Sequence, residues 1–275
     1  MTDRSNGYEA IAAQFIAGRE SDPERIGADV VRRWAMTLAP GAAVLDLGCG
    51  CGIPITQALI ESGCDVCGWD ASPSMVAAFR ERFPTVPVEC AGALEPAFAG
   101  RAFDGVVSWG LLFLLTAEEQ AALIRRLPEL LGAGGQVLFT APWQIGRWAD
   151  NMTGRESVSL GRAEYARLLT EAGLDLVDEQ EDAGGNHYYR AAKRSEPRIA
   201  YANPERAETA IRNVLEAQGR TWGGPLLNHL IYARRPSLFR GARAMWSAIE
   251  ASGLIDGKLA ALVNRRVAAH NGCVF

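Results

Sequence analysis

Val44-Leu45-Asp46-Leu47-Gly48-Cys49-Gly50-Cys51-Gly52 is an apolar run that ends in an acid and enters a turn with glycine at every second position. A strand that stops at such a turn exposes backbone N–H groups and carries no side chain to block a ligand. The pattern predicts a helix over Ile53 to Glu61 whose N-terminus faces the same ligand. The dinucleotide fingerprint G-x-G-x-x-G does not fit. Its last glycine would fall on Ile53 counted from Gly48, or on Ile55 counted from Gly50. A phosphate-binding P-loop fails too, because no Gly-Lys-Ser/Thr follows the glycines.

Downstream, Cys64-Asp65-Val66-Cys67-Gly68-Trp69-Asp70 reads as a second short strand ending in an acid, followed by Ala71-Ser72-Pro73-Ser74-Met75. A fixed carboxylate about 20 residues past a glycine loop can accept hydrogen bonds from both hydroxyls of a ribose. Asp70 lies 22 residues after Gly48. Its other reading is an N-cap for the helix that opens near Pro73.

In that order the two motifs resemble those of the class I S-adenosylmethionine (SAM)-dependent methyltransferases, over about residues 6–194. The resemblance implies SAM as cofactor. It implies that Asp46 organises the loop near the methionine ammonium and that Gly48, Gly50 and Gly52 let the backbone pack against the ligand. It puts Asp70 at the ribose, with Ala71 and Met75 beside it. After the third strand, Val86 to Cys90, many relatives carry an Asp for the adenine amino group. Here Ala93 and Leu94 stand near that place, so backbone and apolar contact are expected to hold the adenine, with Glu95 as another partner. The segment Phe103 to Gly110 resembles the family's fourth strand and sets Trp109 beside the methionine part of SAM, or in the core as an ordinary aromatic.

The wider pattern supports an α/β fold. Strands are predicted near 42–47, 65–69, 86–90, 103–108 and 134–140, with helices near 53–62, 73–82, 117–131 and 161–173. Such alternation gives a mainly parallel sheet with helices on both faces. Leu174–Glu181 and Asn186–Ala192, joined by Asp182-Ala183-Gly184-Gly185, read as an antiparallel hairpin. The expectation is a Rossmann-like seven-stranded sheet over residues 1–194. Ahead of it, Asn6–Arg19 and Pro23–Leu38 read as helices, and by resemblance the first covers the SAM pocket with Tyr8 and Arg19 as contacts.

Methyl transfer depends on aligning the acceptor, and a base is needed only where the nucleophile must lose a proton. Two loops at strand ends carry candidates. One is the connection from Thr140 to Arg155, rich in aromatic, amide and basic groups as a substrate lid would be. The other leads into Asn186-His187-Tyr188-Tyr189, where His187 is a candidate base and Tyr188 or Tyr189 a candidate orienting group. Both also read as residues of a packed strand face. No proline-flanked Asn/Asp motif of the DNA amino-methyltransferases occurs, so a small-molecule acceptor is expected.

Residues 195–203 have linker character, and 204–275 read as all-helical. The stretches around Asn228-His229 and Asn271-Gly272-Cys273 resemble the first half of an alkylhydroperoxidase-like or carboxymuconolactone decarboxylase-like domain. In that family such a turn opens a C-x-x-C pair, and the second cysteine would fall just past Phe275. One thiol cannot close an intramolecular disulfide. Either the reading frame continues through a selenocysteine codon, or the segment is a degenerate domain kept for packing and self-association. The other functional readings are a thiol redox protein with an accessory SAM-binding domain and a SAM-binding module without transfer activity.

Composition bounds these readings. The chain has 275 residues, 48% hydrophobic and 22% charged, as for a soluble globular protein. No apolar run is long enough to span a bilayer and Met1–Asn6 lacks a signal pattern, so a cytoplasmic protein with reduced thiols is expected. Of the six cysteines, Cys49/Cys51 and Cys64/Cys67 lie on or beside strands rather than on metal-binding knuckles, which predicts buried free thiols and no metal. Residues 195–275 carry 11 basic against 6 acidic groups, and the rest 17 against 26. Solvated arginine faces or docking to the acidic part account for this better than nucleic acid.

Overall fold

Strand β1 (Ala43–Leu47) is central to a seven-stranded sheet of order β3-β2-β1-β4-β5-β9-β8. It pairs in parallel with β2 (Asp65–Asp70) and β4 (Phe103–Ser108). β3 (Val88–Cys90) extends one side and β5 (Leu131–Thr140) the other, both in parallel. β8 (Leu174–Glu181) and β9 (His187–Lys193) form the antiparallel edge. The computed structural model describes residues 4–21, 26–96, 98, 100–194, 201–254 and 256–270. It divides into two compact units, Met1–Ser195 and Glu196–Phe275.

Because successive strand residues point to opposite faces, the sheet builds two cores. Val44, Val66, Val107, Leu138 and Tyr188 point to one face. There α2 (Ala28–Ala35) covers them with Val31 and Trp34, and α3 (Ile55–Glu61) with Ile55 and Leu59. Leu45, Leu47, Val106, Phe139 and Tyr189 point to the other face. They meet Leu123 and Leu127 of α5 (Ala117–Leu130) and Tyr165 and Leu168 of α6 (Arg162–Glu171). Thr116 and Glu119 close a reciprocal capping box at the start of α5, which fixes where that helix begins. α4 (Pro73–Arg82) follows β2 and is capped by Ser72, whose hydroxyl accepts from the Met75 N–H.

Several elements differ from the sequence expectation. The helix after the glycine turn begins at Ile55, because the Pro54 ring disfavours helical geometry at Ile53 before it. The leading helix opens as a 3-10 turn at Tyr8–Ile11 before α1 (Ala12–Ser21). The stretch 140–155 is no open loop. β6 (Ile145–Ala149) and β7 (Glu156–Leu160) form a separate antiparallel pair, joined by a turn that Asp150 ties together through the N–H groups of Met152 and Thr153.

The second unit contains α7 (Thr209–Trp222), α8 (Leu227–Tyr232), α9 (Pro236–Ala251) and α10 (Gly257–His270). Ile211, Leu215, Ala233 and Phe239 are buried together in a small core. His229, also buried, hydrogen-bonds the side-chain amide of Gln218. The Asn271-Gly272-Cys273 turn and most of the linker fall outside the described residues. No described helix is long and apolar enough to cross a membrane.

Candidate active site

The chain moves from β1 outward to β2 on one side and returns to β4 on the other, so the strand ends diverge and open a crevice. A cavity of about 220 Å³ lies there. Asp46, Gly48, Cys49 and Gly50 line it from β1 and its turn, and Asp70, Ala71 and Met75 from β2 and α4. Ala93 closes the side beyond β3, and Trp109 and Phe113 the side beyond β4. Tyr8, Phe15 and Arg19 cover it from the N-terminal helix, and Asn186 from the β8–β9 turn.

The glycine turn is held by its own backbone. Gly48 and Gly50 take φ of 80° and 53°, a region glycine enters without strain. A Cβ on Gly48 would approach the Leu111 Cβ to 3.1 Å, whereas one on Gly50 would meet only Phe15 at 3.6 Å. The Gly48 N–H donates to the Trp69 carbonyl at 2.7 Å, and the Gly50 N–H to Asp70 Oδ2 at 2.8 Å. Asp70 Oδ1 accepts from the Ser72 N–H at 2.8 Å. Asp70 thus clamps the loop to the start of α4 while Ser72 takes the N-cap. Burial raises the Asp70 pKa, and these backbone donors oppose the shift.

Asp46 shares the strand face of Val44 and so points toward α3, where Thr56 Oγ1 donates to its Oδ2 at 2.6 Å. Only 1% of Asp46 is exposed. Burial pushes its pKa up to about 7; the Thr56 bond opposes this and the Asp70 charge adds to it.

Two cofactor candidates lie elsewhere. Gly52 is not in the cavity wall: a Cβ there would fall 2.4 Å from the Phe83 ring, so this glycine serves contact between the loop and the end of α4. Leu94 packs against the α5–α6 core, and its carbonyl accepts from the Arg126 guanidinium.

The two catalytic candidates are also displaced from the roles expected of them. His187 and Tyr188 are neighbours on β9, so they face opposite sides of the sheet and cannot act on one group. Neither lines the cavity. His187 Nε2 lies 3.2 Å from Glu179 Oε1, and its ring packs on Tyr189. Tyr188, 1% exposed, accepts a 2.7 Å bond from Trp109 Nε1 and donates a 2.7 Å bond to Asp182 Oδ2. Burial and then Asp182 hold its hydroxyl well above the ordinary tyrosine pKa, so it keeps its proton. Tyr188 is a buttress for Trp109.

That buttress continues to the cavity. Asp182 accepts from the Asn186 N–H at 2.9 Å, and from Asn186 Nδ2 at 3.1 and 2.9 Å through its two oxygens. The Arg19 guanidinium lies 4.5 Å from the centre of the Trp109 ring on the cavity side. The Tyr8 hydroxyl donates to Asp150 Oδ2 at 3.3 Å, joining the N-terminal turn to the β6–β7 pair. Burial first and Asp150 second push the Tyr8 pKa up to about 12. Asn6 also lines the cavity, and its Nδ2 is buried without a hydrogen-bond partner. Asn6 and Asn186 carry no sequence motif. Only a turn signal before Asn186, the Asp182-Ala183-Gly184-Gly185 stretch, could have drawn attention to it.

Comparisons with known proteins agree with this geometry. Residues 44–135 match the family described as "Methyltransferase domain". Demethylmenaquinone methyltransferase of Corynebacterium urealyticum is 37% identical over 106 residues, 38% of this chain and 44% of that protein. Probable tRNA methyltransferase 9B of Mus musculus is 29% identical over 151 residues, 52% of this chain and 31% of that protein. The chain therefore spans less than half the length of either relative. The solved structure of a Burkholderia thailandensis 1,6-didemethyltoxoflavin-N1-methyltransferase superposes with a TM-score of 0.52 at 23% identity, covering 70% of this chain and 91% of that one. The first unit thus has the seven-stranded Rossmann-like fold of that solved methyltransferase, and residues 44–135 within it match the methyltransferase-domain model.

Proposed function

We propose that this protein transfers a methyl group from SAM to a small-molecule acceptor. The observation that carries the reading is the cavity at the ends of β1, β2 and β4, with open glycine backbone on its floor and Asp70 clamping that floor. Its chemistry suits SAM. Asp46 and Asp70 supply negative charge for a ligand with a sulfonium and an ammonium group, and the orphaned Asn6 Nδ2 supplies a donor for a carboxylate or hydroxyl. Gly48 and Gly50 would take the methionine end, Asp70 the ribose and Ala93 the adenine side. When bound, SAM supplies an electrophilic methyl carbon with a good leaving group.

The protein's own residues orient and enclose. Trp109 is fixed by Tyr188, and Arg19 and Phe15 cover the cavity from α1. This enclosure supports a small acceptor, since the N-terminal helix, the β4 end and the β8–β9 turn all reach one cavity. Isothermal calorimetry with SAM and S-adenosylhomocysteine tests the reading. Both should bind to the wild type, and Asp70→Ala should weaken them at least tenfold, about 1.4 kcal/mol. Absence of binding to the wild type would refute the proposal.

A further inference from the structure

The acceptor end of the cavity has a polar group with only half of its capacity used. Asn186 gives Nδ2 to both carboxylate oxygens of Asp182, at 3.1 and 2.9 Å. That pairing settles which amide atom is nitrogen, because a carboxylate cannot donate to the amide oxygen. Asn186 Oδ1 is then the atom left over. No described donor bonds to it, and Asn186 lines the cavity beside Trp109 and Arg19. Asp182 is itself fixed by the Tyr188 hydroxyl and by the N–H groups of Gly184 and Asn186. The amide is therefore held before any ligand arrives, which lowers the cost of ordering it.

We propose that Asn186 Oδ1 receives an N–H of the acceptor, and that the acceptor is an amine carried on an apolar or aromatic frame. This rests on the SAM reading and adds the substrate class. Oδ1 accepts but does not donate, so it favours a group bearing hydrogen and disfavours a carboxylate, whose oxygens would oppose it. A hydroxyl could donate the same bond, but its oxygen becomes a good nucleophile only by losing its proton to a base.

The described groups lining the cavity supply no such base near Asn186. Asp70 is committed to the glycine loop, Asp46 is turned toward α3 and bonded to Thr56, and the Tyr8 hydroxyl is engaged with Asp150. The Cys49 thiol is buried and held well above its usual pKa. An amine in its neutral form, the ammonium proton already lost to solvent, brings its own lone pair. That pair forms the new N–CH3 bond while the methyl carbon's bond to sulfur breaks and its electrons stay on sulfur. The nitrogen, briefly cationic, then releases its proton to solvent. Trp109 and Phe113 give this end of the cavity aromatic walls for the rest of the molecule.

The test uses pairs that differ only in the reacting group: phenethylamine with phenethyl alcohol, and aniline with phenol. Each is titrated calorimetrically into the 275-residue chain saturated with S-adenosylhomocysteine, and each is assayed for product release with SAM. At least one amine should bind about tenfold or more tighter than its hydroxyl partner, and only amines should turn over. Asn186→Leu should remove that preference and raise KM for the amine about tenfold, while S-adenosylhomocysteine affinity stays within twofold. If Asn186→Leu does not fold, the wild-type preference decides by itself.

Equal or better binding or turnover of the hydroxyl partners would overturn the amine assignment, as would an Asn186→Leu protein that keeps the preference. So would a panel in which no amine binds or reacts although S-adenosylhomocysteine does. Failure to bind S-adenosylhomocysteine would instead remove the SAM reading beneath it.

Discussion

At Asp46 a strand's alternation becomes an electrostatic property. The residue is buried against α3 with one hydroxyl partner, and its pKa stands near 7. The folded chain therefore holds a proton between the unfolded value of 3.8 and about 7 that the unfolded chain has lost. Stability of the ligand-free protein should fall as pH rises through that window. A cation in the cavity favours the carboxylate and reverses the sense. Affinity for SAM should rise with pH, by up to about tenfold per unit below pH 7, and level off above it. Calorimetry from pH 5.5 to 8 reads this, and Asp46→Asn should flatten the profile. A flat wild-type profile would show that Asp46 does not sense the ligand.

Tyr188 and His187 separate by the same alternation. Tyr188→Phe strips a partner from both Trp109 Nε1 and Asp182 in a buried setting, and should cost about 1–3 kcal/mol in denaturant unfolding. His187→Ala should leave the kcat of methyl transfer within about twofold, since the imidazole faces Glu179 away from the cavity. A hundredfold loss of kcat in His187→Ala would restore it as the base.

At the scale of elements, the cavity is assembled by segments that are distant in sequence. Gly27 opens α2 with a φ of 93°, and a Cβ there would come within 2.8 Å of Trp109 Nε1 and 3.1 Å of the Tyr188 hydroxyl. Neither neighbour can retreat, because each is bonded to the other. Gly27→Ala should therefore combine backbone strain with a clash at the buttress. The expected loss is about 1–3 kcal/mol, with a shift of the Trp109 indole N–H resonance, whereas Gly41→Ala, with open space around it, should leave that resonance in place. The β6–β7 pair belongs to the same scale. Its turn is closed by Asp150, which also takes the Tyr8 hydroxyl, so the N-terminal turn and this hairpin share one carboxylate.

At the scale of the whole molecule, the two compact units have separate cores, one on each face of the sheet in the first and around Ile211, Leu215 and Phe239 in the second. All groups assigned to SAM lie in the first. Residues 1–195 prepared alone should unfold cooperatively and bind SAM within about threefold of the full chain, by calorimetry. A larger loss would mean that the second unit contributes to the site.

The division between what was legible and what was not follows range. The parallel sheet, the antiparallel edge and the places of Asp46, Gly48, Gly50 and Asp70 could be read from Val44–Gly52 and Cys64–Asp70. Each depends on periodicity, turn chemistry and spacing within a few tens of residues. Gly52 resembled its neighbours because a glycine that makes room for Phe83 looks the same in sequence as one that makes room for a ligand. The β6–β7 pair was missed because β6 is largely exposed and β7 buries two serines around Val158, so neither strand carries an apolar period.

Asn186 and Gly27 became visible only in three dimensions. Their meaning lies in Trp109, Tyr188 and Asp182, which the tertiary fold brings from β4, β9 and the hairpin turn. The sequence by itself determined the fold class and the glycine turn at the strand end, since local backbone chemistry dictates both. The tertiary structure alone decided the polar wall around Asn186, because long-range packing chooses which polar atoms are consumed as struts.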